Sequence, residues 1–323
     1  MQPTITERAK ERFKRDNNLP LRLFVEPYFT TRLKLYNPFY DTLRKWDLYL
    51  LELAKYENDE LYFAEYNRVK EVAMESIKTN EAFLRFNNED MNQFALKNKG
   101  FPSKDIFHPQ NIGHYFVSID MKKANFSSLK HYDRAIFGAD TWEEFIGKFT
   151  NSEYIQGSKY IREVILGNCN PKRHITYEKH LMDELLTEIL TIVDAKVVVS
   201  FSNDEIVLDL TTMTIGERNK VISQVQKVVD GAKVPLRVEP FLLLGVINPI
   251  DKRIFGYLRE VEDVSKNEKE IDFKGLNNYV LPFVMRKLLN QDVMPEDMVF
   301  DHEGMLATYI TPPKIAFVSE YED

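Results

Sequence analysis

The first third of the chain carries amphipathic helical patterns separated by polar breaks. From Phe39 to Tyr56, residues Leu43, Trp46, Leu50 and Leu53 recur at three- and four-residue spacing, which predicts one helix with a single apolar face. The tract at 56–59 ends it, and Glu60 to Thr79 repeats the pattern. A shorter helix is predicted over Glu89 to Lys97. Gly100 to Gly113 holds two glycines and two prolines without a period, so it reads as a linker or an ordered loop.

The character changes at His114. The apolar run HYFVSID predicts a buried strand ending at Asp120. Helix-compatible sequence follows from Lys122 to Lys148, broken at Gly138. Residues 158–166 form a short helical stretch that the turn-forming GNCNP ends, and Tyr177 to Val193 places Leu181, Leu185, Ile189 and Ile192 on one face. Ala195 to Leu210 gives two β-rich runs around Asn203-Asp204, a pair suited to the left-handed turn of a tight hairpin. Thr214 and Glu217 match a capping box for a helix to Val229, with Gly231 as its stop. Val234 to Val246 returns to strand. The order strand, helices, hairpin, helix, strand predicts an α+β, ferredoxin-like antiparallel sheet backed by helices. Beyond it, FGYLREVED suggests a strand and Asn277 to Leu289 a helix. The acidic last residues read as solvated.

Composition narrows the field. At 323 residues, roughly 150 per domain suggests two domains. Hydrophobic residues at 44% and charged residues at 29% exclude wholesale disorder. No run reaches the ~18 apolar residues of a membrane span, and the N-terminus is too charged for a signal peptide. The single cysteine, Cys169, excludes an internal disulfide and points to a reducing, cytoplasmic compartment. A net charge of −7 gives no global pull toward nucleic acid, so such binding needs a local basic surface. Arg8, Lys10, Arg12, Lys14 and Arg15 supply cations near the N-terminus, and 16 Tyr and 22 Phe supply rings, although rings serve cores more often than bases.

The acids suggest chemistry. Asp120 ends the first strand, and Asp204 and Glu205 sit at the hairpin. In a ferredoxin-like sheet these strands are central neighbours, which would bring Asp120 and Asp204 side by side at one sheet end. Converging carboxylates need a cation, and hard oxygen donors suit Mg²⁺ or Mn²⁺. The competing reading gives Asn203-Asp204 to the turn alone and Asp120 to a helix cap.

Residues 117–129, VSIDMKKANFSSL, resemble motif A of reverse transcriptases, and residues 202–210, SNDEIVLDL, resemble motif C of translesion polymerases, with a similar hairpin in the tRNA-His guanylyltransferases. The resemblance implies a right-hand polymerase palm, with Asp120, Asp204 and the Met121 carbonyl holding the metal and Glu205 accessory. It implies that Asn125 and Phe126 face the nucleotide. Asn125 stands where many DNA polymerases carry a bulky aromatic, so the enzyme is expected to admit ribonucleotides; alternatively Asn125 caps the following helix. Lys159 and Arg162 share a helical face, and with Lys172 and Arg173 they are candidates for holding the triphosphate.

Other chemistries lack their residues. No phosphate-binding GxxxxGK[ST] loop, GxGxxG turn, HExxH helix or GxSxG elbow occurs. The six histidines lack metal-ligand spacing, and Asp301-His302-Glu303 reads as a solvated turn. The expectation is a helical region over 1–110, a palm-like domain over 111–248 with a fingers-like insertion over about 130–193, and a thumb-like subdomain over 249–323. The expected function is a small polymerase or primase-like nucleotidyltransferase. It would use Mg²⁺ or Mn²⁺, nucleoside triphosphates and a DNA or RNA primer/template, with no membrane partner, and would suit a virus or mobile element. The alternatives are a non-catalytic nucleic-acid-binding or assembly protein and a nucleotide cyclase.

Overall fold

The structure, a computed structural model, describes residues 5–103, 105–263 and 268–320; the predicted solvated tail therefore ends partly outside the described residues. Five helices come first: α1 (Glu7–Asp16), α2 (Tyr28–Tyr40), α3 (Thr42–Leu53), α4 (Asp59–Lys78) and α5 (Glu81–Asn88). The single helix predicted over Phe39 to Tyr56 is two. Asp41 takes a left-handed conformation (φ 52°), and the Asn37 side chain accepts the Leu43 amide at 3.0 Å, which ends one helix and starts the next. The predicted Glu89–Lys97 helix is only a 3₁₀ turn at Met91–Phe94, capped by the Asp90 carboxylate.

Strand β1 (Tyr115–Met121) leads into α6 (Ala124–Tyr132), α7 (Trp142–Gly147), α8 (Glu153–Gly157), α9 (Lys159–Gly167) and α10 (Pro171–Ile189). Pro171 in the first turn lets α10 begin earlier than its amphipathic pattern shows. The hairpin β2 (Val198–Phe201) and β3 (Glu205–Asp209) follows, then α11 (Ile215–Asp230) with the predicted Thr214–Glu217 capping box, then β4 (Leu236–Ile247). The chain closes with β5 (Ile254–Asp263), β6 (Glu268–Lys274), α12 (Leu281–Leu288), the hairpin β7 (Val299–His302) and β8 (Met305–Thr308), and β9 (Ala316–Val318). Asp301-His302-Glu303 runs into the β7–β8 turn, where Glu303 has φ 52°. Among the described residues no helix is long and apolar enough to cross a membrane.

The architecture is α+β. Seven described strands form one sheet in the order β2-β3-β1-β4-β5-β6, with β9 against the far end of β4, and the pairings among the described residues are antiparallel. Alternation along β1 separates two faces. Val117, Ile119 and Met121 join the main core beneath the helices, whereas Phe116 faces a second, smaller core with Val207, Phe241, Leu243 and Val261. Residues 101–103 and 105–111 lie across that second face. Phe201 donates its amide to the Pro102 carbonyl (2.8 Å), Ser103 bridges Ser200, and Ile106 enters the smaller core.

The expected boundaries at 110 and 248 are not breaks in the packing. The N-terminal helices share the main core with the helices after β1. Tyr66 meets Ser158 at 3.1 Å, and Arg32 reaches Asp297 near the C-terminus at 2.7 Å with both side chains buried. Among the described residues the segment after 248 continues the same sheet and also packs a smaller core of its own, in which Leu258, Val280, Phe283, Val284 and Ile315 meet Val246 of β4. β4 is long enough to carry β1 on its first half and β9 on its second, while β5 pairs along it and β6 extends the sheet further.

Candidate active site

β1 and β3 are the neighbours that matter. In their antiparallel register Asp120 stands opposite Glu205, and the Met121 amide donates to the Asp204 carbonyl at 2.8 Å. The residue directly across from Asp120 is thus Glu205 rather than the expected Asp204. The turn between β2 and β3 also differs from expectation. Neither Asn203 nor Asp204 has a positive φ among the described residues. The Ser202 hydroxyl closes the turn instead, accepting the Glu205 amide at 3.0 Å and the Asp204 amide at 3.4 Å, while the Ser202 amide donates to the Glu205 carbonyl at 2.9 Å.

Asp120 lies on the same face as Ser118, partly exposed at the sheet rim. Burial pushes its carboxyl pKa up to about 6 against the opposing pull of Arg237, and repulsion from Glu205 and Asp204 adds to the rise. Each acid has a resident donor. Arg237 on β4, opposite Asp120 in register, donates to Asp120 at 3.2 Å. Ser202 Oγ lies 3.2 Å from Asp204 Oδ1, and Ser118 Oγ donates to Glu205. From Arg237 a ladder of alternating charge crosses the sheet. Arg237 pairs with Glu239 at 3.0 Å, Glu239 with Arg259 on β5 at 3.1 Å, and Arg259 with Asp272 on β6 at 3.5 Å.

A fourth acid approaches from the helical side. Glu178 on α10 is buried; it accepts from Asn203 Nδ2 at 3.2 Å and lies 3.5 Å from Ser128 Oγ on α6. Burial raises its pKa to about 7 against the Asn203 and Ser128 hydrogen bonds, with Asp204 adding repulsion. Sequence reasoning missed Glu178 and Arg237. Glu178 lies three residues before Leu181 on the predicted α10 face, and Arg237 alternates with apolar Leu236 and Val238 on a predicted strand, so both positions were legible once the sheet order was drawn.

The proposed substrate residues divide. Asn125 is half-buried in the first turn of α6, where its side chain accepts the Phe126 amide at 3.0 Å; it stands inside the helix, whose cap is Lys123 without a side-chain bond, so the cap alternative does not hold either. Phe126 belongs to the core: it is 5% exposed, with its ring 4.6 Å from that of Phe137. Arg173 is tied to the end of α5, donating to the Phe86 carbonyl at 2.8 Å and to that of Glu89. These contacts take both Phe126 and Arg173 away from a nucleotide. Lys172 is exposed, and Lys159 is exposed with Glu163 at 3.5 Å. Arg162 is half-buried, its Nε has no partner, and its charge interacts with Glu143, whose carboxylate also receives Lys123 from the β1–α6 turn. The Met121 side chain is buried in the core, leaving its backbone as the part that borders the site.

The N-terminal cations do not make a free basic strip. Lys10 is buried against Glu26, Arg8 lies over Phe63, Arg12 lies over Tyr66, and Arg15 pairs with Glu11. Cys169 is a buried free thiol whose pKa burial pushes up to about 11, against the pull of Lys78.

Asp120, Asp204 and Glu205 offer hard carboxylate oxygens, the donors that Mg²⁺ and Mn²⁺ take, so the donor chemistry fits a divalent cation. Among the described residues no three His, Cys, Asp or Glu side chains are grouped as a metal shell, and the acids are engaged by their own neighbours. Comparison with family models, curated proteins and solved structures returns no match, so the geometry of the chain itself carries the functional reading.

Proposed function

We propose that this protein is a metal-dependent nucleotidyltransferase built on a polymerase-type palm. The observation that carries the reading is the register of Asp120 against Glu205 on adjacent central strands, with Asp204 next in the chain. The strand order β4-β1-β3-β2, with helices between β1 and β2 and between β3 and β4, is the ferredoxin-like arrangement and supports the palm.

Asp120, Asp204 and the Met121 backbone are the residues that would hold Mg²⁺ or Mn²⁺. Such an ion activates a 3′-hydroxyl and stabilises the departing pyrophosphate when bound. Around it the chain's own groups divide the work. Ser202 and Asn203 fix the turn that carries Asp204. Asn125 offers a small polar side chain near the β1–α6 turn, compatible with a ribose 2′-hydroxyl. Arg162, with an unpartnered Nε, supplies a cation for the triphosphate. A reducing, cytoplasmic setting agrees with the buried free thiol of Cys169.

A second reading, a nucleic-acid-binding protein on a silent palm, draws on the Arg237–Asp120 pair, because a guanidinium on the first metal ligand opposes cation binding. Primer extension with Mg²⁺ or Mn²⁺ separates the two. Extension by the wild type that disappears in Asp120→Ala and Asp204→Ala supports the enzyme. Primer binding without turnover favours the silent palm, and a cyclic product from NTP alone indicates a cyclase.

A further inference from the structure

One guanidinium bridges two acids at the rim. Arg237 Nη2 lies 3.2 Å from Asp120 Oδ2, and Arg237 Nη1 lies 3.0 Å from Glu239 Oε1. The two partners differ in rigidity. The Glu239 side chain is 16% exposed and is fixed from the other side by Arg259, itself 9% exposed, at 3.1 Å. The Arg237 side chain is 51% exposed, so it has room and water around it. Leaving Asp120 breaks one contact and keeps the shorter one.

We propose that Arg237 is a two-position counter-ion for the acidic rim: it neutralises Asp120 while no divalent cation is bound and withdraws onto Glu239 when one enters. The inference rests on the cation site proposed above and concerns how that site is regulated. Asp120 faces repulsion from Glu205 and Asp204, and Arg237, 3.2 Å from its carboxylate, offsets part of that charge in the resting protein. An entering cation must displace the guanidinium, so the apparent affinity is lowered by the cost of that displacement. Glu239 reduces the cost by keeping a carboxylate ready. The Glu239–Arg259–Asp272 ladder thereby sets the cation concentration at which the site loads.

The test is Mn²⁺ binding to the full-length protein, read as free Mn²⁺ by electron paramagnetic resonance in titrations with MnCl₂. Half-exposed ion pairs are weak, so Arg237→Gln should bind Mn²⁺ about fivefold more tightly than wild type at low salt. The gap should narrow as ionic strength rises, because screening weakens the competitor. Glu239→Gln should bind about threefold more weakly, since Arg237 then has Asp120 as its remaining carboxylate in this pair. Circular-dichroism melts in EDTA establish that each variant is folded. Binding that is lost in Asp120→Asn but is unchanged or weaker in Arg237→Gln overturns the counter-ion role alone. Mn²⁺ binding indifferent to Asp120→Asn, or absent from wild type and every variant, removes the cation site and the nucleotidyltransferase reading together.

Discussion

The Glu178 carboxylate, buried on α10, receives the Asn203 side chain across 3.2 Å and so ties the β2–β3 turn to the helical layer. Its pKa stands at about 7 against an ordinary 4.5, chiefly through burial, so the folded protein holds this proton more tightly than the unfolded chain. The stabilising contribution is therefore complete below pH 4.5 and is lost as pH rises through 7. Glu178→Gln removes that dependence. Relative to wild type the variant should gain about 3 kcal/mol between those limits. Urea unfolding of both proteins from pH 4.5 to 8 checks this; a difference that stays flat across the range refutes it.

Asp120 behaves in the same sense. Its pKa is raised from 3.8 to about 6, so the ionised form weakens the fold above that pH. Asp120→Asn should melt a few degrees higher than wild type at pH 7.5 and show no primer extension. Gain of stability with loss of activity is the signature of a group retained for chemistry. A variant that melts lower, or that still extends a primer, counts against the assignment.

Asn125 sets the expected sugar preference. If it admits the 2′-hydroxyl, Asn125→Tyr should shift the ratio of kcat/KM for NTP over dNTP toward dNTP by at least about tenfold, the effect of roughly 1.4 kcal/mol. Single-nucleotide incorporation assays read the ratio. An equally strong dNTP preference in both proteins would leave Asn125 with only its bond to the Phe126 amide.

Arg173 and Lys172 are adjacent but should behave differently. Arg173 donates to carbonyls at the end of α5, and charged hydrogen bonds of this kind contribute about 1.5–3 kcal/mol. Arg173→Ala should lower the melting temperature by several degrees, whereas Lys172→Ala should change stability by no more than about half a kcal/mol, a shift of roughly a degree or two. Differential scanning fluorimetry of the pair suffices.

Much of the fold was legible because its signals are local. The Thr214–Glu217 capping box, the apolar run into Asp120 and the β-rich pair around Asn203 predicted α11, β1 and the hairpin. What was hidden is tertiary. Nothing local at Asp41 announces a left-handed break, and nothing at 249 announces that β5 continues the sheet. Phe126 and Arg173 sit in stretches that look suited to substrate, yet an aromatic cluster with Phe137 claims one and carbonyls at the end of α5 claim the other. Asp120, Asp204 and Glu205 were found in sequence, while Glu178 and the counter-charge were not, because Arg237 meets Asp120 only through strand pairing and Glu178 meets the turn only through helix packing.

That pairing joins residues 117 positions apart. At a synthesis rate of about 5–20 residues per second, Asp120 leaves the ribosome on the order of ten seconds before Arg237 does. During that interval the first strand has no β4 beside it, and the acidic rim lacks its guanidinium. A message truncated before β4 would yield a polypeptide that carries Asp120, Asp204 and Glu205 and lacks the guanidinium that answers them.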